Sequence, residues 1–233
     1  MQQISIVSIQ QVSKVQTHKY LSSSEMNRYL NLSVEKKKMS FLAGRIASKL
    51  ACQKTMENVN PVELEIVNDT SAEFKGRPLL FYKHNIIGKI SLTHSQDLAC
   101  ALFDKDENIG IDLEYDCSRN QSFYKFNFTL LEKDLISCFQ STQRDRMITL
   151  LWTAKEAMSK VVGKGLTVDA RNYESYISKE LLEGFMRDDL DQISYQGKYT
   201  FDGRKFDLNS RRFIYNNLCY YLTTAKNATF QVH

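Results

Sequence analysis

Apolar residues recur at helical spacing over residues 34–53, where Met39, Leu42, Ala43, Ile46 and Leu50 fall three and four apart and define one buried stripe. A shorter helical pattern opens at Ser24, with Ser23 or Ser24 placed to cap it. Helical spacing returns over 130–138 and 144–162. Elsewhere the chain alternates, or runs apolar over short lengths, which predicts strands at 4–12, 63–67, 86–92, 99–103, 108–114, 195–201, 205–208, 212–214 and 218–223. Pro61 breaks the chain, KGRP at 75–78 makes a turn between the strands at 63–67 and 86–92, and the polar stretch 116–120 reads as a linker.

Laid over itself with an offset of 111, the chain places Phe41, Ala43, Ser48 and Lys49 on Trp152, Ala154, Ser159 and Lys160. Each segment follows a helical pattern with an acidic start, at Glu25 and at Glu132. Two similar helix-plus-strand halves are expected. Arg45 then falls on Glu156, so one helical position carries a cation in the first half and a carboxylate in the second.

Composition adds limits rather than identity. A chain of 233 residues, 42% hydrophobic and 25% charged, can bury a substantial core in one large or two modest domains. The net charge of +4 suits anionic partners and falls short of a dedicated nucleic-acid binder. The sequence holds no long apolar run, so a soluble protein without a membrane partner is expected. Five cysteines, at 52, 100, 117, 138 and 219, form no CxxC pair, which fits reduced structural thiols in a cytoplasmic setting.

The chemistry concentrates in two segments. In IGIDLE at 109–114 an extended strand sends Asp112 and Glu114 to one face and Ile111 and Leu113 to the other. Two like charges so close repel unless a cation sits between them, and hard dications such as Mg²⁺ favour oxygen ligands. In LWTAKEAMSK at 151–160, Glu156 and Lys160 stand one helical turn apart and add a third carboxylate and a cation. Taken singly, the first motif is more often a solvated strand face and the second a surface ion pair. Arg45 and Lys49, also one turn apart, could face one anion.

Five segments in order, FLAGRIASKLA from Phe41, KGRP from Lys75, SLTHS from Ser91, GIDLE from Gly110 and WTAKEAMSKVVGKGL from Trp152, resemble the 4′-phosphopantetheinyl transferases of the larger Sfp-like type. The first thirty residues and those after about Ala170 carry no motif. The resemblance implies an α+β fold of two pseudo-twofold halves, 1–116 and 117–233, each a small antiparallel sheet packed with helices, with the active site in the cleft between them. It implies transfer of the 4′-phosphopantetheine arm of coenzyme A to a serine of an acyl, peptidyl or aryl carrier protein, with release of adenosine 3′,5′-bisphosphate.

On that resemblance Asp112, Glu114 and Glu156 hold Mg²⁺, with Mn²⁺ as the alternative metal, and Lys160 neutralises a phosphate oxygen. Glu156 is the leading base and Glu132 the second candidate, set against a plain helix-start charge. Coenzyme A is assigned to Arg45, Lys49, Lys75, Gly76, Arg77, Pro78, Thr93 and His94 together with Lys160; many relatives have Lys where this chain has Arg77. The run Lys36 to Lys38 would steer an acidic carrier, and Phe123, Tyr124, Phe126 and Phe128 would either dock it or fill the core. A monomer follows from the same resemblance. The alternatives are a metal-dependent nuclease, which has no use for THS and KGRP, and a non-catalytic carrier-binding module, which has no need of three carboxylates around a cation.

Overall fold

The computed structural model of the protein describes residues 2–187 and 189–228 and contains two runs of similar elements. The first comprises β1 (Gln3–Ser8), α1 (Ser23–Leu30), α2 (Glu35–Gln53), β2 (Leu64–Asn68), β3 (Pro78–Tyr82), β4 (Asn85–Ser95) and β5 (Leu98–Asp104). The second comprises β6 (Ile109–Tyr115), α3 (Gln121–Asn127), α4 (Leu130–Ser137), α5 (Ser141–Val162), β7 (Tyr173–Tyr176), α6 (Lys179–Met186), β8 (Gln192–Tyr199), β9 (Lys205–Tyr215) and β10 (Leu218–Asn227). One sheet has the order β1-β5-β4-β3-β2 and the other β6-β10-β9-β8-β7, the same order with each strand replaced by its counterpart. The described pairings are antiparallel. The class is therefore α+β, two antiparallel sheets each packed with helices.

The chain divides into two compact units, Met1–Ile111 and Asp112–His233, and the division falls inside β6 rather than after Asp116. In the first unit α2 lays its stripe of Leu42, Ala43, Ile46 and Ala47, all buried, toward β1 and β5. β5, LACALFD, is buried at every position, as its continuous apolar run requires. In the second unit α5 packs on β10 and β7, with Leu150, Leu151, Ala154 and Met158 joining Tyr173, Phe206 and Tyr221 in the core.

Both short helices ahead of the long ones start with the same device. Ser22 accepts from the Glu25 amide while Glu25 accepts from the Ser22 amide, and Thr129 and Glu132 do likewise. Such capping boxes satisfy two amides that the helix itself leaves open. The cap of α1 is thus Ser22, ahead of the two serines expected.

Several expected bounds shift. β1 ends at Ser8, and Val12 reaches the core from a 3₁₀ turn instead of a strand. The segments 205–208 and 212–214 are one strand, β9, because its pairing with β10 continues without a break. β3, α3, β7 and α6 are additional elements. The repeat also differs in register: counterpart starts lie 106 apart (Gln3 and Ile109, Glu35 and Ser141) and the caps 107 apart, against the expected 111. Lys49 therefore corresponds to Lys155, and Arg45 to Leu151. No described helix is long and apolar enough to cross a membrane.

Gly88 sits where β4 has no room for a side chain. A Cβ there would lie 2.6 Å from Phe103 Cε2 and 2.7 Å from the carbonyl oxygen of Asp104. Backbone cannot yield as a flexible side chain does, so Gly88→Ala is expected to destabilise the first unit by about 1–3 kcal/mol, measured by urea unfolding.

Candidate active site

Strand β6 delivers Asp112 and Glu114, and α5 delivers Glu156 and Lys160. Ile111 and Leu113 are fully buried on the other face of the strand, which fixes the direction in which the carboxylates leave it. Lys160 Nζ donates to Asp112 Oδ1 at 2.8 Å, so the helix and the strand are joined at this point. Arg119, in the segment after β6, donates to Glu114 Oε2 at 2.9 Å and lies 5.1 Å over the ring of Phe123. Arg119 was missed in the sequence; its only signal is a cation five residues beyond Glu114 in a polar stretch.

The three carboxylates strain one another electrostatically. Burial, then the charge of Asp112, pushes Glu156 up to about 7, with Glu114 adding to the effect and Lys160 opposing it. Burial and Asp112 raise Glu114 as well, against the pull of Arg119. The donor set, three carboxylates with too little positive charge, fits a hard dication in its chemistry. Among the described residues no three such groups already surround a single metal position. Asp112 and Glu114 instead hold Lys160 and Arg119 as counter-ions.

Glu132, a candidate base, is 3% exposed and serves as a structural group. Its Oε2 lies 2.7 Å from Lys155 Nζ and accepts from the Thr129 amide at 3.0 Å. The first unit repeats this arrangement with Glu25 and Lys49, which overturns the assignment of Arg45 and Lys49 to a phosphate. Lys49 is 0% and Arg45 5% exposed. Lys49 donates to Glu25 Oε2 and to the carbonyl of Tyr20, while Arg45 Nε lies 3.2 Å from Glu25 Oε1 and its guanidinium 4.5 Å over Phe41. Burial lowers both, Arg45 to about 10. An anion at the surface reaches neither, and the helical spacing that made them look paired reflects a shared buried carboxylate.

The remaining nucleotide candidates lie on the first unit. Lys75 and Gly76 are exposed, and Gly76 has φ +91°, a left-handed conformation natural to glycine. The turn is closed by the Gly76 amide on Asp69 O at 2.8 Å and by the Asp69 amide on Arg77 O at 2.7 Å. Arg77 donates to Asn108 Oδ1 at 2.8 Å, and Pro78 starts β3. On β4, Thr93 is buried and His94 exposed. Lys36 and Lys37 are exposed, and Lys38 lies 5.7 Å over Tyr29.

The aromatic stretch divides. Phe128 is fully buried, and Phe123 and Tyr124 pack against the same core, Phe123 with its ring 4.7 Å from Trp152. Phe126, 63% exposed, and Leu130 and Leu131 are outside that core.

Residues 108–193 match the family model of the 4′-phosphopantetheinyl transferase superfamily. The chain is 34% identical over 97 residues to 4′-phosphopantetheinyl transferase HetI of Nostoc sp., a match covering 40% of this chain and 41% of that relative's length. It is similar to a holo-(acyl-carrier-protein) synthase from Bacillus anthracis solved in complex with CoA (3′,5′-ADP), with a TM-score of 0.39, 25% identity, and coverage of 44% of this chain and 91% of that one. A holo-ACP-synthase from Plasmodium yoelii gives 0.37, 17%, 44% and 90%.

The raised proton affinity of Glu156 has a definite sign in stability. A carboxyl whose folded value exceeds its unfolded one contributes fully below about 4.5 and loses that contribution as the pH rises through about 7. In metal-free buffer with EDTA, Glu156→Gln is therefore expected to gain on the order of 1–3 kcal/mol over the parent at pH 8, and little at pH 4. Urea unfolding at the two pH values reads the difference.

Proposed function

We propose, on the premise that residues 108–193 belong to the 4′-phosphopantetheinyl transferase superfamily, that the chain moves the phosphopantetheine arm of coenzyme A to a serine of a carrier protein. The observation that carries this reading is the 2.8 Å contact between Lys160 and Asp112, which joins the D-x-E strand to the K-E-x-x-x-K helix. Phosphoryl transfer asks of a protein mainly charge neutralisation and positioning. A strand and a helix that bring three carboxylates and an ammonium together meet that demand.

In the reaction the serine oxygen forms a bond to the phosphorus that bears the pantetheine arm. The anhydride bond to the nucleotide's phosphate breaks, and adenosine 3′,5′-bisphosphate departs. Asp112, Glu114 and Glu156 would hold Mg²⁺, or Mn²⁺ in its place, and the metal when bound would polarise the diphosphate. Glu156 takes the serine proton, as the carboxylate that α5 brings beside Asp112 and Glu114. Lys160 supplies positive charge beside the diphosphate oxygens.

The nucleotide end of coenzyme A is assigned to Lys75, Arg77 and His94, with Gly76 and Pro78 shaping the turn and Thr93 adding its hydroxyl. Arg45 and Lys49 have no part in it. One chain carrying two copies of the helix-and-sheet run supports activity as a monomer. Five cysteines joined by no disulfide support a cytoplasmic setting.

Incubation with coenzyme A, Mg²⁺ and an apo carrier should raise the carrier's mass by one phosphopantetheine. Asp112→Ala and Glu114→Ala are each expected to lower the rate by roughly a thousandfold or more, since a metal's charge stabilisation is worth several kcal/mol, while circular dichroism stays unchanged. Full activity of either variant would remove the metal assignment.

The carrier is placed on the exposed apolar residues Phe126 and Leu130 rather than on Phe123 and Tyr124, which the core uses. Phe126→Ala with Leu130→Ala should raise KM for the carrier by about tenfold, the effect of losing buried apolar area, and leave KM for coenzyme A unchanged. Equal changes in both constants would count against this face.

A further inference from the structure

A cleft of about 460 Å³ in the second unit lies between the start of α4 and β7 with the residues after it. Its floor holds two polar side chains that are more than nine-tenths buried, Glu132 at 3% and Ser175 at 8% exposed. Glu132 Oε1 and Ser175 Oγ have no hydrogen-bond partner among the described residues. Lys155 cannot serve Oε1, because its ammonium has three donors and all are used. They go to Glu132 Oε2, to Ala170 O at 3.2 Å and to Tyr173 O.

The first unit explains what differs. There the matching oxygen, Glu25 Oε1, accepts from the Ile66 amide at 3.0 Å and faces Arg45 Nε at 3.2 Å. Leu151 stands in the second unit where Arg45 stands in the first, so the second cation is replaced by an apolar side chain. Counting from the starts of β2 and β7, Ser175 occupies the place of Ile66.

The cleft has the opposite of a cationic character. Glu132 and Glu174 line it, and none of the described residues lining it is a cation. Lys155 neutralises Glu132 from the interior, while Glu174, half-buried, accepts from the Tyr176 hydroxyl at 3.1 Å and stands opposite Lys198 in register. Leu131, 68% exposed, Leu135 and Ile177 give it an apolar part beside Thr129, Tyr176 and Ser178. A neutral donor could satisfy the floor oxygens, but an ammonium makes the stronger, charge-assisted bond to the carboxylate oxygen of Glu132.

We propose that this cleft binds a primary alkylammonium group, whose head donates to Glu132 Oε1 and Ser175 Oγ and whose short stem lies on Leu131, Leu135 and Ile177. This site is distinct from the residues assigned to transfer and does not depend on that assignment.

The test is an NMR titration of the isotope-labelled full chain with n-butylammonium chloride at constant ionic strength, with n-butanol as the neutral control. Saturable shifts around Thr129 and Ser175 are expected, with the amine binding about tenfold or more tighter than the alcohol, as charge-assisted hydrogen bonds require. Ser175→Ala and Glu174→Gln, which leave the Glu132–Lys155 pair in place, should each weaken the amine by about three- to tenfold. Equal binding of amine and alcohol, absence of saturation, or indifference to both substitutions would overturn the proposal. N-acetyl-lysine methylamide distinguishes the sources: binding as tight as butylammonium assigns the cleft to a lysine side chain of another protein, and weaker binding to a free amine.

Discussion

A buried glutamate gripping a buried lysine on the long helix is the interaction on which each half of this protein depends. Glu25 and Lys49 form it in the first unit, Glu132 and Lys155 in the second. Neither pair is an efficient way to gain stability, since burial costs both ions most of their hydration and apolar residues of like volume do as well. What the pair supplies is specificity. One carboxylate closes the cap of the short helix and anchors the long one, while the ammonium also collects carbonyls from a neighbouring segment. Loss of one partner strands the other, a penalty of about 3–5 kcal/mol.

The reactive groups exploit the frame in the opposite sense. Where the buried pairs are charge-balanced, Asp112, Glu114 and Glu156 are crowded past balance, and Lys160 and Arg119 only partly offset them. The same helix, α5, carries both kinds of residue: Lys155 faces inward to the carboxylate of Glu132, and Glu156 faces the carboxylates of Asp112 and Glu114. Stored repulsion of that kind favours a cation and a proton.

The long helices and most of the strands were legible because their apolar periodicity is strong; α2 and α5 lie within three residues of their expected bounds. The pairing of Asp112 with Glu114 and of Glu156 with Lys160 was legible too, from strand alternation and helical spacing, whereas the joining of the two pairs was implied by the family resemblance alone. The roles of Arg45, Lys49 and Glu132 were not. A charged residue on a helix reads as solvent-facing or ligand-binding, and nothing local reveals that its partner lies 24 residues earlier in the chain, as Glu25 does for Lys49. β7 and α6 were missed because each is short and its core contacts come from distant residues such as Met158 and Tyr221. Phe123 and Tyr124 stood open between docking and core, and packing against Trp152 and Phe128 decides for the core.

Adjacency of Lys155 and Glu156 has a mechanical consequence. Successive side chains leave an α-helix about 100° apart, so fastening one of them sets the azimuth of the next. With its ammonium bound to a carboxylate and two carbonyls, Lys155 acts as a key in a slot: α5 can bend or shift slightly along its length, but it cannot roll about its own axis. The heading of Glu156 is thereby set from the dry interior. A change deep in the core, far from any reacting atom, would misaim the helix while leaving every reactive side chain intact.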